Sequence, residues 1–456
     1  MTDERNSSVL DEQIEQWRSF LLRRRTIQSG DVAELEDHLR EQVSSLIDVG
    51  LAPDEAFLVA VKRIGNLDSL SREFAVEHSE RLWKQLVVPA DSAEDAMSGR
   101  SDAVIAFAFA IAAALLVKLP ELFGVTLDGN EEFYARNASL FVLPVLAGYF
   151  AWKRALSFST LRWIVAAILA AVVFANIYPF AGKTSNTQVL SAMHMPVALW
   201  VVVGIAYCGS RWGQVAGRMD FIRFSGEFFI YYVLIALGGG LLTGLLMMLF
   251  KAIGLDAEWF VQSWLVPCGA AGAVIVGSWL VEAKQSVVEN MAPVLARLFT
   301  PLFAALLITF LATLLLTGRA NDIDRNTLIQ FNAVLVLVLA LLLYSISARD
   351  SSSPPGIFDV LQLVLVGSAL TADVLALWNI ATRISEFGFT PNRVAVLGMN
   401  LILLVNLAWS AVLCVRFLRR KESLVALERW QTRYLPVYGV WAAIVVVIFP
   451  PLFNYL

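Results

Sequence analysis

FDVLQLVLVGSALTADVLALWNIATRISEFGFTPNRVAVLGMNLILLVNLAW, residues 358–409, is the stretch that decides the fold of this chain. Two apolar runs, 357–382 and 393–415, flank a short polar turn at Glu386–Pro391. Each run is long enough to cross a bilayer as a helix, which takes about 20 apolar residues. Because lipid leaves no water for unpaired backbone groups, such runs must be helical. We therefore predict a hairpin of two membrane-spanning helices.

The same pattern recurs along most of the chain and predicts an all-α, polytopic membrane domain of about 11 spans. Hydrophobic residues make up 58% of the sequence and charged residues only 16%, which is far from the composition of a soluble domain. The run at 137–155 is short, so a re-entrant segment is the alternative there. The other predicted spans are 103–123, 137–155, 160–181, 190–208, 228–250, 259–281, 295–317, 327–347 and 437–455.

Charge divides the chain into a soluble head and a membrane body. Residues 1–102 hold 12 Lys/Arg and 21 Asp/Glu, a net charge of −9, whereas the remainder holds 23 and 18, a net charge of +5. An acidic head argues against nucleic-acid binding, which needs clustered basic residues. We predict a helical domain at 1–86, a polar linker at 87–102 and a multi-pass transmembrane domain at 103–456.

Apolar residues at helical spacing predict the helices of the head. A first helix follows Asp11, a second follows the capping residue Asp31, and a third starts at Pro53. A fourth is predicted after Ser69. The inward-facing residues of the first three are predicted to be Ile14, Trp17, Leu21, Leu35, Leu39, Val43, Leu46, Ala56, Phe57, Ala60 and Ile64.

The loops between the spans predict the orientation. With the head in the cytoplasm, the inner loops carry 15 Lys/Arg and the outer loops 7, as the positive-inside rule requires. We therefore predict a cytoplasmic N-terminus and a C-terminus outside.

The hairpin also holds the candidate functional site. Asp373 is the only carboxylate that we predict deep within a span, and such a group is costly in lipid, so it normally faces a partner or a wet cavity. Asn379, Asn400 and Asn406 are the candidates to complete a polar pocket. Counted from Arg383 and Arg393, Asp373 and Asn400 should lie at similar depth.

Two interpretations of Asp373 stay open. In the functional one, Asp373 binds a proton, a cation or the cationic part of a small molecule. In the structural one, it hydrogen-bonds Asn400 and fixes the hairpin.

Other patterns predict packing rather than chemistry. Gly238, Gly239, Gly240 and Gly244 form a small-residue face that favours close helix packing, with a broken helix at a binding site as the alternative. Residues 421–435 are amphipathic and basic, which predicts a helix lying on the cytoplasmic surface. The sequence has no nucleotide-binding loop, no catalytic motif and no Cys/His cluster. We predict neither a metal nor a cofactor.

The head resembles a known family. ELEDHLREQ at 34–42, GLAPDEAFLVAVKRIGNLDSL at 50–70 and EF at 73–74 are similar to the bacterial permease-prefix domain, a small helical signalling-type module fused to membrane proteins. The resemblance covers residues 12–86. It implies an adaptor role without catalytic residues, with a cytoplasmic protein as the partner.

The body resembles an uncharacterised bacterial multi-pass family. The similar segments are ARLFTPLF at 296–303, LLLYSISARD at 341–350 and EFGFTPNRVAVLGMNLILLVNL at 386–407. The resemblance implies a characteristic frame around the outer turn made by Arg383, Asn392 and Arg393, together with Arg297, for which interfacial anchoring is the plainer role. It also implies the bacterial inner membrane.

Three functions follow. The first is a sensor or regulator that couples a polar site in the membrane to the cytoplasmic head. The second is a secondary transporter that uses Asp373, and the third is a structural assembly factor, with homo-oligomers as a further expectation. An enzyme is the least favoured class, because no catalytic constellation is present.

Overall fold

Helices and the short connections between them make up all that the structure, a computed structural model, describes of this chain. The described residues are 13, 14, 17, 29–49, 51–65, 92–180, 185–283, 291–317, 325–347, 349 and 354–456, and no strand occurs among them. They divide into two compact units, Met1–Arg100 and Ser101–Leu456.

The first unit contains two described helices, α1 (Ser29–Asp48) and α2 (Pro53–Gly65). The apolar stripes predicted for this region do form its core, since every member of the following set is at most 8% exposed: Ile14, Trp17, Leu39, Val43, Leu46, Ala56, Phe57 and Ala60. The predicted fourth helix and Leu21 lie outside the described residues.

The second unit is a bundle of long helices. After α3 (Ser92–Lys118), which runs into it, these are α4 (Glu131–Lys153), α5 (Phe158–Ile177), α6 (Asn186–Cys208), α7 (Val215–Ala252), α8 (Glu258–Ala283, with a π-helical turn at Val261–Leu265), α9 (Met291–Leu316), α10 (Arg325–Ser347), α11 (Ile357–Phe387), α12 (Pro391–Leu418), α13 (Leu424–Val447) and the short α14 (Phe449–Leu452).

Within the described part of the chain, nine helices are long and apolar enough to cross a membrane. They are α3 and α5 to α12, which confirms an integral membrane domain with several crossings. The two remaining predicted spans correspond to α4 and to α13 with α14.

Helix α4 runs antiparallel to α3. Near its start, the Tyr134 hydroxyl donates to the carbonyl oxygen of Val125, just after α3. At its end, Lys153 lies 3.7 Å from the carboxylate of Asp102 in the first half of α3. The two contacts are separated by 19 residues of α4, about 28 Å of helix. The segment predicted at 137–155 therefore belongs to one continuous helix.

Polar contacts gather at the two ends of the bundle. At one end, Glu282 of α8 forms ion pairs with Lys153 at 2.7 Å and with Arg154. At the other end, the Ser185 hydroxyl and the Thr187 amide each donate over 2.8 Å to backbone carbonyls of the last two residues. The C-terminus therefore lies beside the start of α6.

The bundle has two cores of different composition. Around α3, α4, α6 and α7 the core is aromatic, with Tyr207 and Phe224 stacked at 4.6 Å between ring centroids and Phe150 edge-on to Phe224 at 5.3 Å. Around α9 to α12 it is aliphatic and rich in alanine. The hairpin of α11 and α12 therefore belongs to the aliphatic core.

Two sequence predictions on packing are wrong. Residues 421–435 do not lie on a surface as a separate helix, because α13 continues from Leu424 to Val447 through Pro436 and buries Gln431 and Thr432. The stretch is amphipathic because it packs against α12.

The second of these predictions concerns the glycine face of α7. Helix α7 is continuous, so it is not broken, and a Cβ built at any of these glycines meets no atom within 4 Å in the described structure. No described residue therefore packs closely against this face. The glycines concerned are Gly238, Gly239, Gly240 and Gly244.

Candidate functional site

The hairpin of α11 and α12 is built by local signals at its turn. Gly388 ends α11 with φ +76°, a backbone conformation that glycine adopts without a Cβ penalty. Thr390 caps α12 by accepting from the Arg393 amide at 3.4 Å, and Pro391 takes the first helical position. The turn thus falls within the predicted Glu386–Pro391 segment.

The predicted outer frame holds this turn in place. Nη1 of Arg393 donates to the carbonyl oxygens of Phe387 at 3.0 Å and Gly388 at 2.8 Å, where the helix dipole favours a cation. The Asn392 amide donates over 2.7 Å to the side-chain oxygen of Asn186 at the start of α6. Arg383 is half-buried one turn before the end of α11. Asn392 and Arg393 therefore fix the hairpin.

Asp373 lies in the middle of α11, with sixteen residues before it and fourteen after it in the helix. Its exposure is 0%, and neither carboxylate oxygen has a hydrogen-bond partner among the described residues. Burying a carboxyl group without compensation is costly. No described residue therefore compensates the burial of the Asp373 carboxyl group.

Asn400 on α12 is in the same condition. It is 0% exposed, and neither polar atom of its side chain has a partner in the part of the chain that is described. The Asp373–Asn400 hydrogen bond of the structural interpretation is thus absent. Counted from the helix ends at the turn, Asp373 is fourteen residues deep and Asn400 nine. That difference is about 7 Å, more than one helical turn, whereas the counts from Arg383 and Arg393 predict a similar depth.

The other two predicted pocket residues form hydrogen bonds with groups other than Asp373 and Asn400. Asn379 is 3% exposed, and its amide donates to the Leu375 carbonyl within α11 at 2.9 Å. Asn406 faces α13, where its amide donates to Gln431 at 3.0 Å and Tyr438 at 2.6 Å.

This α12–α13 network satisfies the side chains that compose it. The indole of Trp430 donates to Asn406 Oδ1 at 2.7 Å, and Gln431 donates to the Ser410 hydroxyl at 2.7 Å. A network with its hydrogen bonds made stabilises one arrangement of helices. Its role is structural.

Sequence reasoning did not assign three buried polar residues of this core to the site. Asn332 on α10 is 7% exposed, Thr300 on α9 is 1% exposed and Gln362 on α11 is 5% exposed. Asn332 Oδ1, the Thr300 hydroxyl and Gln362 Nε2 have no partner within the described residues. The signal in the sequence is a lone polar residue inside an apolar run, which is weak because such residues often bond their own helix.

A second buried carboxylate was also missed. Glu227 on α7 is 4% exposed. The sequence predicts a span that starts at residue 228, just after Glu227, but α7 begins at Val215 and includes Glu227. It lies one turn beyond Arg223, whose guanidinium donates to the Ser347 carbonyl at 3.0 Å. Asp373 is therefore not the only carboxylate within the helical bundle.

The N-terminal end of α11 carries a closed ion pair. Arg349 binds the carboxylate of Asp359, donates to the Pro354 carbonyl at 2.9 Å and lies 5.2 Å from the ring centroid of Phe417 on α12. Burial lowers the pKa of the Arg349 guanidinium, and the nearby positive charge of Arg297 lowers it further. An arginine still stays charged at neutral pH, so this pair joins α11 to α12 at that end.

The described residues contain no group of three or more His, Cys, Asp or Glu side chains that could hold a metal. Compared with known protein families, with curated proteins and with solved structures, the chain has no match in any of the three. Its function must therefore be inferred from the site alone.

Proposed function

We propose that this chain is an integral membrane protein that senses occupation of a proton- or cation-binding site at Asp373 and passes the signal to its N-terminal helices. The observation that carries the proposal is the fully buried Asp373 carboxyl group, which has no partner among the described residues. An intramembrane carboxyl group of this kind indicates a functional site by default.

The comparison with other buried carboxylates in the same bundle supports this. Glu282 is ion-paired with Lys153 and Arg154, and Asp359 is ion-paired with Arg349. Carboxylates that only hold helices together carry such partners, because an unpaired buried charge is strongly destabilising. Asp373 has no such partner among the described residues, which fits a group that binds a ligand from outside the protein.

A secondary transporter is the second candidate, and one observation favours it. Asp359, Gln362 and Asp373 share one face of α11, at spacings of three and eleven residues. Asp359 and Gln362 lie at the inner end of the helix and Asp373 at its middle, with Val366 and Ala369 between them. A carrier binds its substrate near the middle of the membrane, which is where Asp373 would lie.

The topology is part of the proposal. We infer eleven crossings, with α4 and α13 added to the nine, a cytoplasmic N-terminus and an external C-terminus in a bacterial inner membrane. The contacts that gather at each end of the bundle agree with this alternation. We further propose a cytoplasmic protein partner for residues 12–86, a homo-oligomeric state and no enzymatic activity.

Flux in liposomes tests the proposal and separates its two forms. The full-length protein is reconstituted, a proton or cation gradient is imposed, and the wild type is compared with Asp373→Asn and with Asn406→Ala as a control outside the site. Flux that disappears in Asp373→Asn alone identifies a transporter.

Absence of flux leads to a second comparison, by complementation of a chromosomal deletion. A sensor requires both Asp373 and residues 1–86 for complementation. If Asp373→Asn complements fully, the site has no function and a structural assembly factor becomes the better description.

A further inference from the structure

Asn332 of α10 lies within about one helical turn of Asp373 in depth. Arg349, just after the end of α10, contacts Asp359 and so brings the inner ends of α10 and α11 together. Asn332 is seventeen residues from Arg349, and Asp373 is fourteen residues from Asp359. At 1.5 Å per residue, the two depths differ by about 5 Å.

Asn400 lies about one helical turn further out than Asp373. The turn at the outer end gives a difference of five residues between their depths. At the inner end, Arg349 contacts both Asp359 and Phe417, from which Asp373 and Asn400 are fourteen and seventeen residues away. The two counts bracket an offset of about 4–8 Å. That gap is too long for a direct hydrogen bond, but a bound ion between the two side chains would bridge it.

The chemistry of these unpartnered atoms selects the charge of the ligand. Both oxygens of Asp373, Oδ1 of Asn400 and Oδ1 of Asn332 are acceptors, against one donor, Nδ2 of Asn400. Four acceptors and one donor suit a cation and disfavour an anion. A single carboxylate balances one positive charge, whereas calcium sites use several carboxylates among six to eight oxygens.

Small side chains flank the carboxyl group on α11. Ala369, Ala372 and Ala376 lie four residues before, one before and three after Asp373, and each is 0% exposed. Alanines at these positions let the neighbouring helices approach α11 closely at the level of Asp373.

We propose that Asp373, Asn400 and Asn332 form an oxygen-lined site for a dehydrated monovalent cation of the size of Na⁺. The inference rests on the proposed function and deepens it, because it names the ligand and adds α10 to the site. The three residues come from three helices, so binding would draw α10, α11 and α12 together.

Thermal unfolding of the purified full-length protein tests this inference. The protein is titrated with NaCl against choline chloride at constant ionic strength and pH 8, since a ligand that binds the native state raises the unfolding midpoint. We expect Na⁺ to raise the midpoint in the wild type and to have no effect on Asp373→Asn. In Asn332→Ala and Asn400→Ala the apparent affinity should fall about tenfold, as for loss of one supporting group. Asn406→Ala should lower the midpoint but keep the wild-type response to Na⁺.

Two results would overturn the inference and can be told apart. If Na⁺ has no effect but the midpoint depends on pH in the wild type and not in Asp373→Asn, the cation site is wrong and the proton form of the proposed function survives. If neither Na⁺ nor pH distinguishes Asp373→Asn from the wild type, the proposed function fails as well. A Na⁺ response that is unchanged in Asn332→Ala removes α10 from the site.

Discussion

Asn137 of α4 and Asn176 of α5 donate a hydrogen bond to each other, at 3.0 and 2.8 Å, and so form a closed pair between two apolar helices. Sequence reasoning had no partner for Asn176. The pair shows what a structural asparagine looks like in this protein, and Asn400, with neither polar atom engaged among the described residues, differs from it.

The pair predicts a measurable loss of stability. Asn137→Ala removes both hydrogen bonds and leaves the Asn176 amide with its bond to the Val172 carbonyl alone. Polar contacts between membrane helices contribute about 0.6 kcal/mol on average and at most about 2 kcal/mol, so the unfolding free energy should fall within that range. Chemical unfolding in detergent measures it.

A double-mutant cycle distinguishes this pair from two independent asparagines. Because each amide serves the other, Asn137→Ala with Asn176→Ala should cost little more than either change alone. Additive losses would mean that each side chain stabilises its own helix.

Gly398 predicts a steric effect at the contact of α12 with α13. A Cβ at this position would overlap the ring of Trp441, and α12 therefore approaches the indole more closely than alanine permits. Gly398→Ala should destabilise the protein by about 1–3 kcal/mol, as overpacking of a core does. The midpoint of thermal unfolding measures it.

Gly244→Ala supplies the matched control, because a Cβ there meets no atom within 4 Å. It also exchanges glycine for alanine inside a long apolar helix, and it should be neutral or slightly stabilising. Equal losses at the two positions would show that glycine is needed for the helix itself and not for the contact with Trp441.

Asp373 shows how far sequence alone leads to the candidate site. A carboxylate inside an apolar run is conspicuous, and one helix with 3.6 residues per turn places it on a buried face. The sequence does not say which neighbouring helix that face meets. Asn406 looked equivalent to Asn400, yet Asn406 faces α13 and Asn400 does not bond to it.

For the fold as well, the sequence predicts the individual helices but not which helices are neighbours. Apolar runs predict the helices of the membrane unit nearly completely, because lipid imposes their length and their backbone pairing. Contacts between helices depend on side chains far apart in the sequence, such as Arg349 with Asp359, or Asn392 with Asn186. The start of α7 is misplaced for a related reason. Residues 215–227 mix buried apolar side chains such as Phe221 and Phe224 with charged ones such as Arg223 and Glu227, so hydropathy does not mark them as part of a long helix.

The contacts at the ends of the bundle predict sidedness. Phe389, at the turn between α11 and α12, is 73% exposed and should be external, on the side of the C-terminus. Lys421, between α12 and α13, should be cytoplasmic. In a background without the three native cysteines, a membrane-impermeant thiol reagent added to intact cells should label Phe389→Cys and not Lys421→Cys. The opposite pattern would invert the proposed orientation, and labelling of both would contradict a crossing by α12.

Access to the site from the inner side is the last prediction. Position 373 lies on the face of α11 that leads inward past Gln362 to Asp359, where Arg349 closes the inner end. A single Asp373→Cys in the same cysteine-free background should therefore react with a small thiol reagent in inverted membrane vesicles, and Arg349→Gln should raise the labelling rate severalfold. Position 406 lies at a similar distance from the outer turn but inside a network whose hydrogen bonds are all made. A cysteine there (Asn406→Cys) should therefore stay unlabelled both with the native Arg349 and with Arg349→Gln.

Each result of this labelling experiment bears on the mechanism. Acceleration by Arg349→Gln at position 373 alone would identify the Arg349–Asp359 pair as the inner barrier to the site, because general loosening of the bundle would expose position 406 as well. Labelling that is fast without the Arg349 change would mean that the path is already open. If position 373 stays unreactive in both backgrounds, the polar face of α11 is not a path, and a cation would have to reach Asp373 from the outer side along α12 and Asn400.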